Sequence, residues 1–201
     1  ILISALRWVA QRLSHVFQLP LFTRWRIVAG RVPWFKRGCN EDPPMAPQTG
    51  PLMTLEDVDA LILRMQQMQE GLGHCFWAVE RKEDGRLIGW CGLIRGGKNT
   101  PIEDRVEVGW RFAFDTWGQG YAREAASASI DWAFTHLPDE DVWAITVDNN
   151  EKSWGLMERL GMHRHAELGF EHPNVPEGSP LKAHITYSIG RAEWTASASS
   201  H

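Results

Sequence analysis

The residues of this chain best placed to do chemistry are Trp117-Gly118-Gln119-Gly120-Tyr121-Ala122. Two glycines two positions apart let the backbone approach a ligand closely, because neither carries a Cβ. An apolar alternation precedes the segment and a helical pattern follows it. The first N–H groups of that helix have no internal partner and, with the helix dipole, form an anion site. A phosphate or pyrophosphate is the natural occupant. The loop is not a nucleoside-triphosphate P-loop, since no Lys-Ser or Lys-Thr pair follows the glycines. It matches a dinucleotide fingerprint poorly: Arg123 stands where a third glycine is needed, and Asp148 comes too late for the ribose-binding acid. A glycine-rich turn with no ligand stays open at this level. No His, Cys or carboxylate cluster has metal-ligand spacing, and Cys39, Cys75 and Cys91 form no disulfide framework.

The elements that must position this loop read as follows. Gln18 to Arg26 is a first strand, and 27–50 is irregular and rich in Pro and Gly. Thr54 can cap a helix whose apolar face carries Leu55, Val58, Leu61, Ile62, Met65 and Met68, ending near Gly71 to Gly73. Cys75 to Arg81 and Arg86 to Ile94 flank a Glu83-Asp84-Gly85 hairpin signal. Arg105 to Phe114 is a strand with Glu107, Gly109 and Arg111 on one face and Val108, Trp110 and Phe112 on the other. After the loop come a helix from Ala122 to Leu137, a strand from Asp141 to Val147 and a helix from Ser153 to Leu160, with Ser153 as its N-cap. Two further strands follow, Met162 to Phe170 and Leu181 to Ile189. This is a mixed α/β domain with a central crossover unit.

Several of these segments together resemble the GNAT acetyltransferase superfamily, and within it the Rim-type N-acetyltransferases named for action on ribosomal-protein N-termini. Gly120 and Ala122 fill the last two fixed positions of its Gln/Arg-x-x-Gly-x-Gly/Ala loop, with Trp117 replacing the leading residue. Glu107-Val108-Gly109-Trp110-Arg111 before the loop and Asn150 to Met162 after it are similar to that branch. So are the Asp84 to Gly92 hairpin, the Asn40 to Met45 region with the Thr54 helix, and Phe170-Glu171-His172-Pro173 with Pro176 to Leu181 and His184. The likeness runs over about residues 19 to 194 in the right order, and this coverage outweighs any single motif. Leu21 to Arg26 keeps the family's first-strand run only loosely.

The resemblance implies a central twisted sheet of about six to seven strands, splayed at the cofactor site and flanked by helices. It implies transfer of acetyl from acetyl-CoA to a primary amine by direct attack through a tetrahedral intermediate, with coenzyme A as product. The pyrophosphate is expected on the loop from Trp117 to Ala122, and the pantetheine arm between strands 105–114 and 141–147 beside Asn150 and Ser153. Glu107 is the implied base, against the bland alternative of a surface carboxylate paired with Arg111. Where many members carry a tyrosine acid this chain has Met157, so Ser153 is the implied proton donor to the thiolate. Trp110, His172 and His184 are expected acceptor contacts. The acceptor is a peptide N-terminus or a small-molecule amine; the alternative is a non-catalytic acyl-CoA sensor of the same fold.

Composition agrees with a single folded domain. The chain has 201 residues, 43% of them hydrophobic, with eleven tryptophans and a net charge of −4. A chain of this length can bury a proper core, and the charge gives no field for nucleic acid. Residues 1–18 read as an extra amphipathic helix that Arg7 and Arg12 keep from spanning a bilayer. Residues 19–194 form the expected domain, and 195–201 a disordered tail. Trp25, Trp34 and Phe35 lie among basic residues in a patch read as surface. The expected setting is cytoplasmic, as a monomer or homodimer, with no stable membrane association and no metal.

Overall fold

The computed structural model describes residues 25–27 and 55–198. The expected helix at 1–18, most of the first strand, the Thr54 cap and the aromatic-basic patch lie outside them. Of the first strand only β1, Trp25–Ile27, is described. It is followed by α1 (Leu55–Leu72), β2 (Phe76–Arg81), β3 (Leu87–Arg95) and β4 (Val106–Phe112). Next come α2 (Tyr121–His136), β5 (Asp141–Val147), α3 (Glu151–Arg159), β6 (His163–Glu171), β7 (Ala183–Gly190) and α4 (Arg191–Ala198). Residues 195–198, expected in a frayed tail, complete the last turn of α4 instead.

The strands form one mixed seven-stranded sheet in the order β1-β2-β3-β4-β5-β7-β6. All pairs are antiparallel except β4 with β5. The crossover helix α2 makes that parallel pair possible. Alternation on β4 buries Val106, Val108 and Phe112 beneath α2, where Ala125, Ala126, Ile130 and Trp132 meet them. Ile130, Leu93 and Val106 are fully buried, each contributing about 1.5–3 kcal/mol of transfer free energy. Leu156, Met157, Tyr187 and Ile189 extend the same core beneath α3. Cys75 and Cys91 are buried free thiols, with burial raising both to about 12, so they pack as small apolar groups.

Arg191 fixes the far end of α2. Its guanidinium donates to the carbonyls of Phe134, Leu137 (2.8 Å) and Asp139 (2.7 Å), satisfying acceptors at the helix C-terminus that have no partner within the helix. Trp194 Nε1 donates to Asp131 at 2.6 Å, so α4 clamps onto α2. The opposite end of α2, the one that carries the glycine loop, is thereby held on a rigid element.

Candidate active site

The glycine loop grows directly out of β4. After Phe112 the chain makes a short 3-10 turn, Phe114–Thr116, tied by Thr116 Oγ1 to the Ala113 carbonyl at 2.6 Å. Trp117 folds back on the strand, its Nε1 donating to the Phe112 carbonyl at 2.9 Å. Gln119 Nε2 does the same to the Asp115 carbonyl at 2.9 Å. Gly120 is the N-cap of α2 at φ +87°, a left-handed conformation that side-chain-bearing residues adopt at a cost, and no side chain caps the helix. Gly118, Gln119 and Gly120 are exposed while the Tyr121 ring is buried in the core. The loop therefore turns backbone, not side chains, to the outside at the positive end of a 16-residue helix.

Next to the loop the sheet opens. β3 and β4 pair along their whole length, from Arg95↔Val106 to Gly89↔Phe112. β4 and β5 pair at one position alone, Glu107↔Trp143. Beyond it the strands part, leaving two facing backbone edges with N–H and C=O groups to offer. The opening leads from Glu107 up to the glycine loop. On its β5 side Asn150 caps α3, with Nδ2 donating to Thr146 Oγ1 at 3.0 Å.

Ser153 is not the N-cap of α3. The helix starts at Glu151, and Ser153 lies within its first turn, its N–H donating to the Asn150 carbonyl at 2.9 Å. Asn150 can take the cap position because its backbone already leaves the helical region there. The Ser153 side chain is half-buried, and among the described residues its hydroxyl makes no hydrogen bond. Met157, one turn on, is buried in the core. Lys152 reaches across to the loop, its ammonium 4.5 Å from the centre of the Trp117 ring.

Glu107 stands where the two strands part. Its carboxyl is half-buried, and burial pushes its pKa up to about 7. An ion pair with Arg111 would lower that value, so the bland reading of a paired surface carboxylate does not fit. Gly109, two residues along the same face, leaves room for the Phe76 ring: an added Cβ would come 2.8 Å from it. Phe76 stacks on Trp90 at 4.5 Å. Trp143 adjoins Glu107 from β5, with the Arg105 guanidinium 4.3 Å over its ring and His165 at 5.1 Å.

The expected acceptor contacts separate. Register places His184 opposite Val147 and Phe170 on the Glu107 face, and His172 joins them with ring centres 4.9 Å apart. Trp110 pairs with Cys91 on the other face and packs against the core beneath α2, because strand alternation sets it opposite Glu107. Sequence reasoning missed Trp143 and Lys152, and it named Phe170 within a family-like segment without giving it a place at the site. The two aromatics are visible as strand alternation but gain meaning only from cross-strand register, and Lys152 only from the approach of α3 to the loop.

An acetyltransferase (GNAT) domain model matches residues 33–163. The chain belongs to the GNAT acetyltransferase family. A Bacillus subtilis relative, the uncharacterized protein YkkB, is 34% identical over 100 residues, 49% of this chain and 56% of that protein. The FsC-acetyl coenzyme A-N(2)-transacetylase of Aspergillus fumigatus is 35% identical over 115 residues, 55% of this chain and 48% of that protein. The chain thus spans about half the length of these curated relatives. A putative GNAT-family acetyltransferase structure from Bordetella pertussis shares the fold, with a TM-score of 0.65, 19% identity, and coverage of 84% of this chain and 96% of that one. Among the described residues no helix is long and apolar enough to cross a membrane, and no cluster could hold a metal ion.

Proposed function

We propose that this chain transfers an acetyl group from acetyl-CoA to a primary amine, as a member of the Rim-type branch. The observation that carries the reading is the single β4–β5 ladder pairing at Glu107↔Trp143, from which the strands part toward the glycine loop. The site fits coenzyme A. The exposed Gly118–Gly120 backbone and the uncapped N-terminus of α2 suit a pyrophosphate, with Gln119, Gly120, Tyr121 and Ala122 supplying N–H groups. The opposed strand edges suit the amides of a pantetheine arm, and Asn150 is placed to bond it. When bound, acetyl-CoA supplies an activated thioester carbon.

The chain's own residues prepare the amine. Glu107, held near pH 7 by burial, accepts a proton from the incoming ammonium, directly or through one water. An α-amine with a pKa of about 8 yields that proton more readily than a lysine amine at about 10.4. Ser153 Oγ donates to the departing sulfur, a role Met157 cannot fill. A binding-only module has no use for a carboxyl raised to about 7 beside the opening, and this favours turnover over sensing.

Thiol release from acetyl-CoA over a panel of primary amines, with product mass measured, tests the reading. Acetyl-CoA-dependent release with an acetylated amine is expected. No release with any amine, from a protein that binds acetyl-CoA, would leave the sensor reading standing instead.

A further inference from the structure

The hairpin of β6 and β7 lies largely beyond the segment that the family model matches, and it carries a cluster with no part in the transfer step. Phe170, His172 and His184 meet there as three rings, Phe170 lying 6.0 Å from His172 and 5.6 Å from His184. All three are half-buried, so a ligand can reach them. Their position along the sheet is known from register. Glu107 is level with Trp143 and His184 with Val147, four residues further along β5. At about 3.3 Å per residue along the strand and about 4.8 Å for each of the two strand steps from β4 to β7, this sets His184 ~16 Å from Glu107, backbone to backbone, on the same face.

Backbone partners fix the two tautomers. His184 Nδ1 lies 3.0 Å from the Lys182 carbonyl, which can only accept, so Nδ1 carries the proton and Nε2 presents a lone pair. His172 Nδ1 accepts the Asn174 N–H at 3.3 Å, so in the neutral ring Nε2 carries the proton. Burial lowers both pKa values, which keeps the rings neutral at pH 7. The pair thus offers one donor and one acceptor side by side, without charge. Asp148 pairs with Arg164 at 2.8 Å, Glu167 with His165 at 3.3 Å and Glu177 with Lys182 at 2.7 Å, while Glu171, exposed between Phe170 and His172, falls by strand alternation on the opposite face of β6. The rings themselves therefore present neither a carboxylate to a second ammonium nor a cation to a carboxylate.

We infer that Phe170, His172 and His184 form an acceptor subsite that binds an uncharged amide-type group at the far end of an extended primary amine whose nitrogen lies at Glu107. This rests on the acetyl-transfer reading and names the class of acceptor it takes. His172 Nε2–H donates to the amide oxygen, the amide N–H donates to His184 Nε2, and Phe170 packs on the amide plane.

The test compares straight-chain primary amines of matched length, roughly 12–16 Å from nitrogen to end group, as the strand register and strand spacing require. They end in a carboxamide, a methyl group, an ammonium or a carboxylate, with n-propylamine as an acceptor too short to reach the pair. The carboxamide is expected to show a KM tenfold or more below the other three. His172→Leu and His184→Leu remove that advantage while leaving KM for n-propylamine and for acetyl-CoA unchanged. His184→Gln, whose amide oxygen can replace Nε2 as acceptor, restores part of it. Equal KM values for all four end groups, or variants that weaken n-propylamine as much as the carboxamide, would overturn the subsite while leaving the transferase reading intact. No thiol release with any amine would overturn both.

Discussion

At the scale of single residues the account turns on Glu107. A base that titrates at about 7 predicts that kcat/KM rises with pH through an inflection there. Glu107→Gln should remove that inflection and lower kcat about 10²-fold, with the dissociation constant for acetyl-CoA unchanged, as read by steady-state kinetics beside calorimetric titration. The same carboxyl predicts a stability effect of definite sign. Its folded pKa is raised above the ordinary value of 4.5, so its contribution is fully present below about pH 4.5 and is lost as pH rises through about 7. Glu107→Gln should therefore be more stable than the wild type at pH 8, by roughly 1–3 kcal/mol in urea unfolding, and lose that margin near pH 4.5. Ser153→Ala should lower kcat about tenfold without moving the acetyl-CoA constant, if its hydroxyl protonates the thiolate. The identity and face of Glu107 are legible in the sequence because strand alternation is local. Its raised pKa is not, since that depends on what β5 and its neighbours bring beside it. Ser153 shows the converse error: a serine near a helix start reads as a cap, yet Asn150, three residues earlier, takes the position.

At the scale of elements, the β4–loop–α2 unit is the best foretold part of the molecule. Its signals are local: an alternating strand, two glycines and a helical period. Gly120→Ala places a Cβ at φ +87° and should destabilise the fold by about 1–2 kcal/mol. It should also weaken acetyl-CoA binding tenfold or more, measured by calorimetry, because the strain falls on the backbone that faces the phosphate. The splay between β4 and β5 is not written in either strand alone. Both read as ordinary strands, and their parting after Glu107↔Trp143 emerges from two chain segments separated by a whole helix. The histidine cluster was likewise visible as residues but not as a cluster, since the pairing of β6 with β7 is irregular between His165 and Phe170.

At the scale of the whole molecule, the sheet is rigid where its core is deep. α2 presses Ile130 into the core shared with β3 and β4, while Arg191 and Trp194 pin the helix from the far end. Ile130→Ala should cost about 2–5 kcal/mol by chemical denaturation, a large part of a marginal stability. The order of the central elements was legible throughout, whereas the Pro- and Gly-rich stretch before Thr54 offers no period from which a path could be read. The central claim is that the loop and the opened sheet form a coenzyme A site. Thermal-shift titrations with acetyl-CoA, CoA, NAD and ATP test it most directly. A ligand specific to the folded state at one hundred times its dissociation constant adds about 2.7 kcal/mol. The account predicts a saturable rise in melting temperature with acetyl-CoA and CoA and none with NAD or ATP. A larger shift with NAD or ATP, or none with either CoA species, would contradict it.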